Sequence, residues 1–210
     1  MCTTATRFIE SDHPEVLDFS RERVEGAESV VERAVALFYA VRDGIVYDAR
    51  EFSLSPEGLR AGRTLERGRS WCVPKAVLLA ACCRAVGIPA RLGFADIRNR
   101  LAGERLRKLM GTDVFAWHGY TLIRIDGRWL KATPAFDVEL CRRHDFKPVE
   151  FDGRDDAVYH PTDLNGTPHM EYLKYHGEYD DVPVEEISES LPKYYPALTG
   201  VSYRQIGEDQ

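Results

Sequence analysis

Apolar residues recur at steps of three and four near the start of the chain. Between residues 21 and 41 this spacing places them on one face of an amphipathic helix. A second apolar run, residues 73–86, begins with Pro74 and is followed by Gly87 and Pro89. Proline is tolerated in the first turn of a helix, and glycine commonly ends one. The second run therefore predicts a buried helix that begins near residue 72.

Strand-like segments follow this helix. Residues 90–97 form one such segment, and residues 114–125 and 128–133 flank the dipeptide Asp126-Gly127. Asp-Gly between two strand-like segments predicts a tight hairpin turn. The polar, glycine-rich residues 53–69 are predicted to form a surface loop.

These elements predict a single α+β domain in which the helix near residue 72 packs against an antiparallel sheet. The 210 residues are 44% hydrophobic and 30% charged, which suits one sizeable core. The core is expected over about residues 21–137. A C-terminal extension, about residues 138–210, is expected to pack on it.

Charge and composition exclude several classes of partner. The net charge is −6, and no basic stripe with interleaved aromatic residues occurs, so nucleic acid is not an expected partner. The longest apolar run is shorter than the roughly 20 residues of a membrane span, so no membrane is expected either. Five cysteines, two of them adjacent, suit a reducing compartment. Free thiols and a cytoplasmic location are therefore expected, because no secretory signal is visible.

Cys72 differs from the other thiols because it lies at the predicted start of a helix. Unpaired N–H groups there favour a thiolate, lower its pKa and can also bind an oxyanion. Cys82 and Cys83 lie about three turns further on and are expected to be core residues. His118, at the head of the hairpin, is the candidate base. The alternative for His118 is a structural histidine that packs beside Trp117.

Four stretches together resemble the transglutaminase-like superfamily of papain-type thiol enzymes. They are GRSWC at 68–72, CRAVGIPAR at 83–91, Trp-His at 117–118 and DGRW at 126–129. The resemblance covers about residues 68–137. It implies a papain/transglutaminase-like core, with Cys72 as the nucleophile and His118 as the general base of a Cys-His-Asp arrangement. No cofactor is expected.

The third member of that arrangement departs from the family pattern. Family members commonly have Asp-Pro-Thr a few residues after a tryptophan, whereas this chain has Ala132 at the expected aspartate. Asp137 is the nearest acid and is predicted to hydrogen-bond His118. Helix capping over residues 138–142 is an equally supported role for Asp137.

Three aromatic residues near these positions are candidates for the cleft. Trp71 precedes the nucleophile and can donate an indole N–H to an oxyanion, although packing is the favoured role. Trp117 and Tyr120 are candidates for an aromatic wall, because the family's His-Ala-Trp order is replaced here by Trp-His-Gly-Tyr.

Two further clusters have simpler explanations than a site. His160, His169 and His176, with Asp163, match no standard zinc spacing, so no metal is predicted. The basic residues within 98–110 are interpreted as a solvated helix face. Attraction of an anionic substrate, or gating of the cleft, is the alternative for this basic patch.

The sequence thus predicts thiol-dependent acyl transfer at an amide or ester. Hydrolysis of a peptide or other amide-containing substrate is favoured, because cross-linking members of the superfamily are generally larger. A transglutaminase that uses an amine acceptor is one alternative. A non-catalytic peptide-binding module is the other, and the presence of both Cys72 and His118 argues against it.

Overall fold

The computed structural model describes residues 2–195 and confirms the α+β class. In chain order the elements are α1 (Pro14–Arg23), α2 (Val30–Gly44), β1 (Val46–Tyr47), α3 (Ala61–Arg67), β2 (Arg69–Ser70), α4 (Cys72–Ala85), β3 (Ala90–Asn99), α5 (Glu104–Met110), β4 (Val114–Ile125), β5 (Arg128–Ala132), α6 (Val138–Arg143), β6 (Met170–Tyr179) and α7 (Val184–Tyr194). Four strands form an antiparallel sheet in the order β5-β4-β3-β6. The short strands β1 and β2 pair in parallel.

The helix predicted over residues 21–41 is wrong, because that region contains two helices. Gly26, at φ +81°, lies in the loop between α1 and α2. The Ser29 hydroxyl accepts the Glu32 N–H at 3.1 Å, and the Glu32 carboxylate accepts the Ser29 N–H at 3.0 Å. This reciprocal capping box starts α2. Its Ser-x-x-Glu signature was present in the sequence.

The surface loop predicted over residues 53–69 is also only partly correct. It contains helix α3, whose residues Ala61, Gly62 and Thr64 are buried. A helix of seven residues is too short to show a clear apolar period, and packing against α4 accounts for its stability better than propensity does.

The helix that carries Cys72 packs on the sheet as predicted. Along α4, the twelve residues from Val73 to Arg84 are all buried. The Thr121 hydroxyl of β4 donates to the Ala76 carbonyl at 2.8 Å. On another side, the fully buried Lys75 ammonium donates to the Arg42 carbonyl at 2.9 Å and to that of Ile45, and so binds carbonyl groups at the end of α2. Burial lowers the pKa of Lys75 to about 7.

The hairpin is confirmed, and the C-terminal part adds a strand. Asp126 (φ +49°) and Gly127 (φ +81°) form the turn between β4 and β5. Strand β6 pairs with the edge of β3 that faces away from β4, and Phe94 of β3 pairs with Gly177 of β6. Among residues 2–195, no helix is both long and apolar enough to cross a bilayer.

Candidate active site

Cys72 is the first residue of α4 and is half-buried. Hydrogen bonds from the backbone N–H groups of Gly119, Val73 and Cys72 itself to the sulfur lower the pKa of the thiol and so favour a thiolate. Burial has the larger and opposite effect, and the pKa of the thiol rises to about 11. The N–H groups at the helix start thus lower this pKa as expected, but burial outweighs them, so the predicted net lowering of the pKa is wrong. At neutral pH Cys72 is a thiol.

Gly119 brings the histidine strand to the thiol. A Cβ placed on Gly119 would lie 3.0 Å from both Cα and Cγ2 of Val73, which is closer than side chains normally pack. Only glycine lets the backbone of β4 approach the start of α4 so closely. His118 precedes Gly119 and Cys72 precedes Val73, so this approach brings the backbones of the two residues close together.

His118 lies on β4 opposite Ala95 of β3 and is 3% exposed. Its ring lies beside the Tyr159 ring, with 5.1 Å between centroids. Burial lowers the pKa of His118 to about 3, so the imidazole is neutral at physiological pH. Its Nε2 is buried and has no hydrogen-bond partner among the described residues.

Cys72 and His118 line one cleft of about 100 Å³. Of the described residues, sixteen line it, and none of these is an Asp, Glu, Lys or Arg. Tyr47 and Tyr159 are among them, and burial raises the pKa of both phenols far above the usual value, with Cys72 adding to the shift. Both hydroxyl groups therefore stay protonated near the thiol and are able to donate hydrogen bonds.

Asp137 does not contact His118. Its carboxylate accepts the Leu140 N–H at 2.9 Å, which makes it the N-cap of α6, and the Tyr47 N–H at 2.9 Å. Both oxygens are thus used by backbone donors. Asp137 therefore has the alternative role, that of a helix cap. Its carboxylate also holds the strand that carries Tyr47.

Comparisons with known proteins agree with this geometry. A sequence profile of the transglutaminase-like superfamily matches residues 18–134, which is more than half of the chain. The chain belongs to the transglutaminase-like superfamily. A crystal structure from Cytophaga hutchinsonii, named "Putative Cysteine Protease", superposes with a TM-score of 0.51 at 18% identity. The match covers 85% of this chain and 53% of that one, so this chain spans about half the length of the solved structure. No curated protein sequence matches the chain.

One departure from the transglutaminase-like pattern fits the state of His118. Ala132, which replaces the expected aspartate, is fully buried on β5, the strand next to β4. An alanine offers no acceptor to the imidazole. The unpartnered Nε2 of His118 is the expected consequence where a carboxylate is missing.

The three aromatic candidates are placed differently. Trp71 lines the cleft and packs on Phe52 with 4.6 Å between ring centroids, and its buried indole N–H has no partner in the part of the chain that the structure describes. Trp117 and Tyr120 do not line the cleft, so the proposed aromatic wall is not built from them. Tyr120 packs instead against Gly93, where a Cβ would overlap its ring.

Trp117 faces a separate cluster around Asp96, which sequence analysis missed. The buried Asp96 carboxylate accepts the Trp117 N–H at 3.1 Å and the Tyr194 hydroxyl at 2.7 Å, and lies 2.6 Å from His176 Nε2. The His176 ring stacks on the Trp117 ring at 4.0 Å. Trp117 has φ +57°, a conformation that costs a bulky residue about 1–2 kcal/mol. The cluster stabilises this backbone conformation at Trp117, the residue directly before His118.

The other two histidines of the cluster considered for a metal, His160 and His169, lie in different surroundings from His176 and from each other. His160 Nε2 lies 3.3 Å from the Pro148 carbonyl. The His169 ring packs on Phe146 at 4.1 Å, and burial lowers its pKa to about 4. Within the described part of the chain, no group of three or more His, Cys, Asp or Glu side chains is arranged to hold a metal ion.

Proposed function

We propose that this protein is a thiol-dependent acyl-transfer enzyme that hydrolyses an amide or ester, with Cys72 as nucleophile and His118 as base. One observation supports this most strongly. The Gly119 N–H donates a hydrogen bond to the Cys72 sulfur, and His118 lines the same cleft as Cys72. A thiol, an imidazole and backbone N–H groups at a helix start together suit acyl transfer.

Acylation begins from a neutral pair. The Cys72 proton passes to the neutral imidazole of His118 while the sulfur forms a bond to the carbonyl carbon and the C=O electrons move onto oxygen. Backbone N–H groups at the start of α4 stabilise that oxyanion. When the intermediate collapses, the bond to the leaving amine or alcohol breaks, and the imidazolium returns the proton to the leaving group.

Deacylation repeats these steps with water. His118 removes a proton from water, the oxygen attacks the thioester, and the C–S bond breaks. The imidazolium then reprotonates Cys72. In this proposal the two residues act as a dyad, because no carboxylate of residues 2–195 hydrogen-bonds His118 and Asp137 caps a helix.

The test uses p-nitrophenyl acetate, a small neutral ester. We expect release of p-nitrophenol, with acetyl found on Cys72 by peptide mass spectrometry after an acid quench. Cys72→Ala should abolish both results. Cys2→Ala is the matched control, because Cys2 is also half-buried but lies outside the cleft. Acetylation spread over several cysteines, or none at all, contradicts the proposal and favours a binding module.

The acceptor is tested separately. Turnover of the ester in buffer alone, with acetate as product, supports hydrolysis. If turnover requires an added primary amine and yields the amide, the acceptor is an amine and the transglutaminase alternative replaces hydrolysis.

A further inference from the structure

We propose that the group attached to the reacting carbonyl is neutral and apolar, and that the cleft beside Cys72 selects it on that basis. This inference rests on the proposed function and adds a substrate class to it. It favours acyl groups that carry one aromatic ring or a branched aliphatic chain.

The walls of the cleft are aromatic rings that pack on each other. The Tyr47 ring contacts Phe136 edge-on at 4.8 Å between centroids, and Phe136 contacts Tyr159 at 4.9 Å. Phe52 and Trp71 form a second pair at 4.6 Å. Rings that support each other in this way make a fixed apolar surface in the cleft.

Another side of the cleft is also apolar. Leu106 and Met110 lie four residues apart on α5, so they share one face of the helix, and both line the cleft. Met170, from the start of β6, lines it as well. The exposed Arg107 and Lys108 do not line it.

A charged acyl group would lose water in this cleft and meet no opposite charge among the described lining residues. None of the sixteen described lining residues carries a formal charge at neutral pH, because the pKa of His118 is about 3. The charged residues on either side of Ala49, Asp48 and Arg50, pair with each other at 2.8 Å. Burial of an unpaired charge is strongly unfavourable.

A few neutral hydrogen-bonding groups remain to hold the reacting amide or ester. Asn99 lines the cleft, and its side-chain oxygen accepts the Leu101 N–H at 3.1 Å. The protonated hydroxyl groups of Tyr47 and Tyr159 lie near the thiol. An apolar pocket with a few neutral donors is typical of small-molecule sites. A volume of about 100 Å³ is of the order that takes up one aromatic ring.

Three p-nitrophenyl benzoates of similar size test the inference, and their para substituents cannot reach the ester: 4-methylbenzoate (neutral), 4-carboxybenzoate (anionic) and 4-(aminomethyl)benzoate (cationic). Each kcat/KM is divided by the rate of the same ester with a free thiol, which removes differences in intrinsic reactivity. We expect the neutral ester to be preferred by about 10- to 100-fold over either charged ester. A charged ester within about twofold of the neutral one overturns the inference.

The acetate ester distinguishes this failure from failure of the proposed function. If acetate acylates Cys72 and the three larger esters show no preference, only the inference on the acyl group is wrong. If no ester acylates Cys72, the proposed function and the inference are both wrong.

A charge placed in the cleft should change the preference. Ala49 is half-buried and lines the cleft, so Ala49→Lys brings an ammonium group there. We expect the 4-carboxybenzoate ester to gain about tenfold relative to the 4-methylbenzoate ester. Ala27→Lys, at a half-buried position outside the cleft, is the matched control and should leave the ratio unchanged. An unchanged ratio in Ala49→Lys contradicts the placement of the acyl group.

Discussion

Helix α4 carries three cysteines in two different surroundings. Cys72, at its start, is half-buried and lines the cleft with His118. Cys82 and Cys83, near its end, are fully buried in the core. Burial raises the pKa of all three thiols, to about 11 for Cys72 and about 12 for Cys82. The pKa values of the three thiols therefore do not distinguish Cys72 as the reactive one. The difference lies in access to the cleft, which His118 also lines.

This comparison changes how the nucleophile is recognised. A helix start suggests a thiolate, but loss of water at Cys72 outweighs the backbone N–H groups that act on it. The proposed site therefore depends on where the thiol lies and which base it can reach, and the thiolate forms only as the proton moves to His118.

The largest expected effect separates the two kinds of cysteine. Cys72→Ala should lower kcat/KM for p-nitrophenyl acetate by at least about 10³-fold, because Cys72 is the one cysteine among the described residues that lines the cleft. Cys82→Ala should stay within about twofold of wild type. Similar losses in both variants would mean that the two ends of α4 do not differ in function.

The pH dependence of alkylation tests the raised pKa of Cys72. Because only the thiolate reacts, labelling of Cys72 by iodoacetamide should accelerate about tenfold per pH unit between pH 7 and pH 10. The rate is read from the mass of the Cys72 peptide. Free cysteine, with an ordinary pKa near 8.5, is the reference and should level off within this range. A plateau for Cys72 below pH 8 would show a preformed thiolate.

His118→Gln should lower kcat/KM by about 10²- to 10⁴-fold, the usual contribution of a general base. The free energy of unfolding, measured in denaturant, is the accompanying readout and should not fall in parallel. His160→Gln is the matched control, since His160 is half-buried and outside the cleft. If the two variants have equal activity, His118 is not the base.

Gly119→Ala should lower kcat/KM by about 10- to 100-fold, because displacement of reacting groups by about 1 Å has costs of this order. Its Cβ meets Val73 at 3.0 Å and pushes the histidine strand away from the thiol. Gly44→Ala is the control, since a Cβ there meets nothing within 4 Å. Unchanged activity in Gly119→Ala would remove the close approach from the account.

The smallest effect on activity is expected at Cys83. Cys83→Ala opens a small cavity in the core and should lower the free energy of unfolding by about 1–2 kcal/mol, measured by urea titration. The activity of the folded enzyme should remain within about twofold of wild type. A large loss of activity without loss of stability would place a functional role inside the core.

The sequence predicted those parts of the fold that depend on local patterns. The α4 helix with its proline start, the β3 segment and the Asp126-Gly127 hairpin were all confirmed. The helix break at Gly26 also had a local signal, in the capping box that follows it. Helix α3 had none, because its burial depends on packing against α4.

The site was less predictable because it depends on register and on contacts distant in sequence. Trp117 adopts a positive φ beside an irregularity in the β3–β4 pairing, so strand alternation does not show which way it faces. Asp137 is the nearest acid to Ala132, the position of the expected aspartate, which suggested a contact with His118, whereas the carboxylate accepts the N–H of Tyr47, 90 residues away. Asp96 and His176 meet across 80 residues.

The adjacency of Cys72 and His118 is tested most directly with dibromoacetone, whose three-carbon bridge can alkylate a thiol and then an imidazole nearby. At one equivalent and pH 8, we predict a single cross-linked product that joins the Cys72 and His118 peptides, identified by mass spectrometry. His118→Gln should yield only the singly attached reagent on Cys72. A bridge from Cys72 to any other residue, or no bridge in the wild-type protein, would contradict the account.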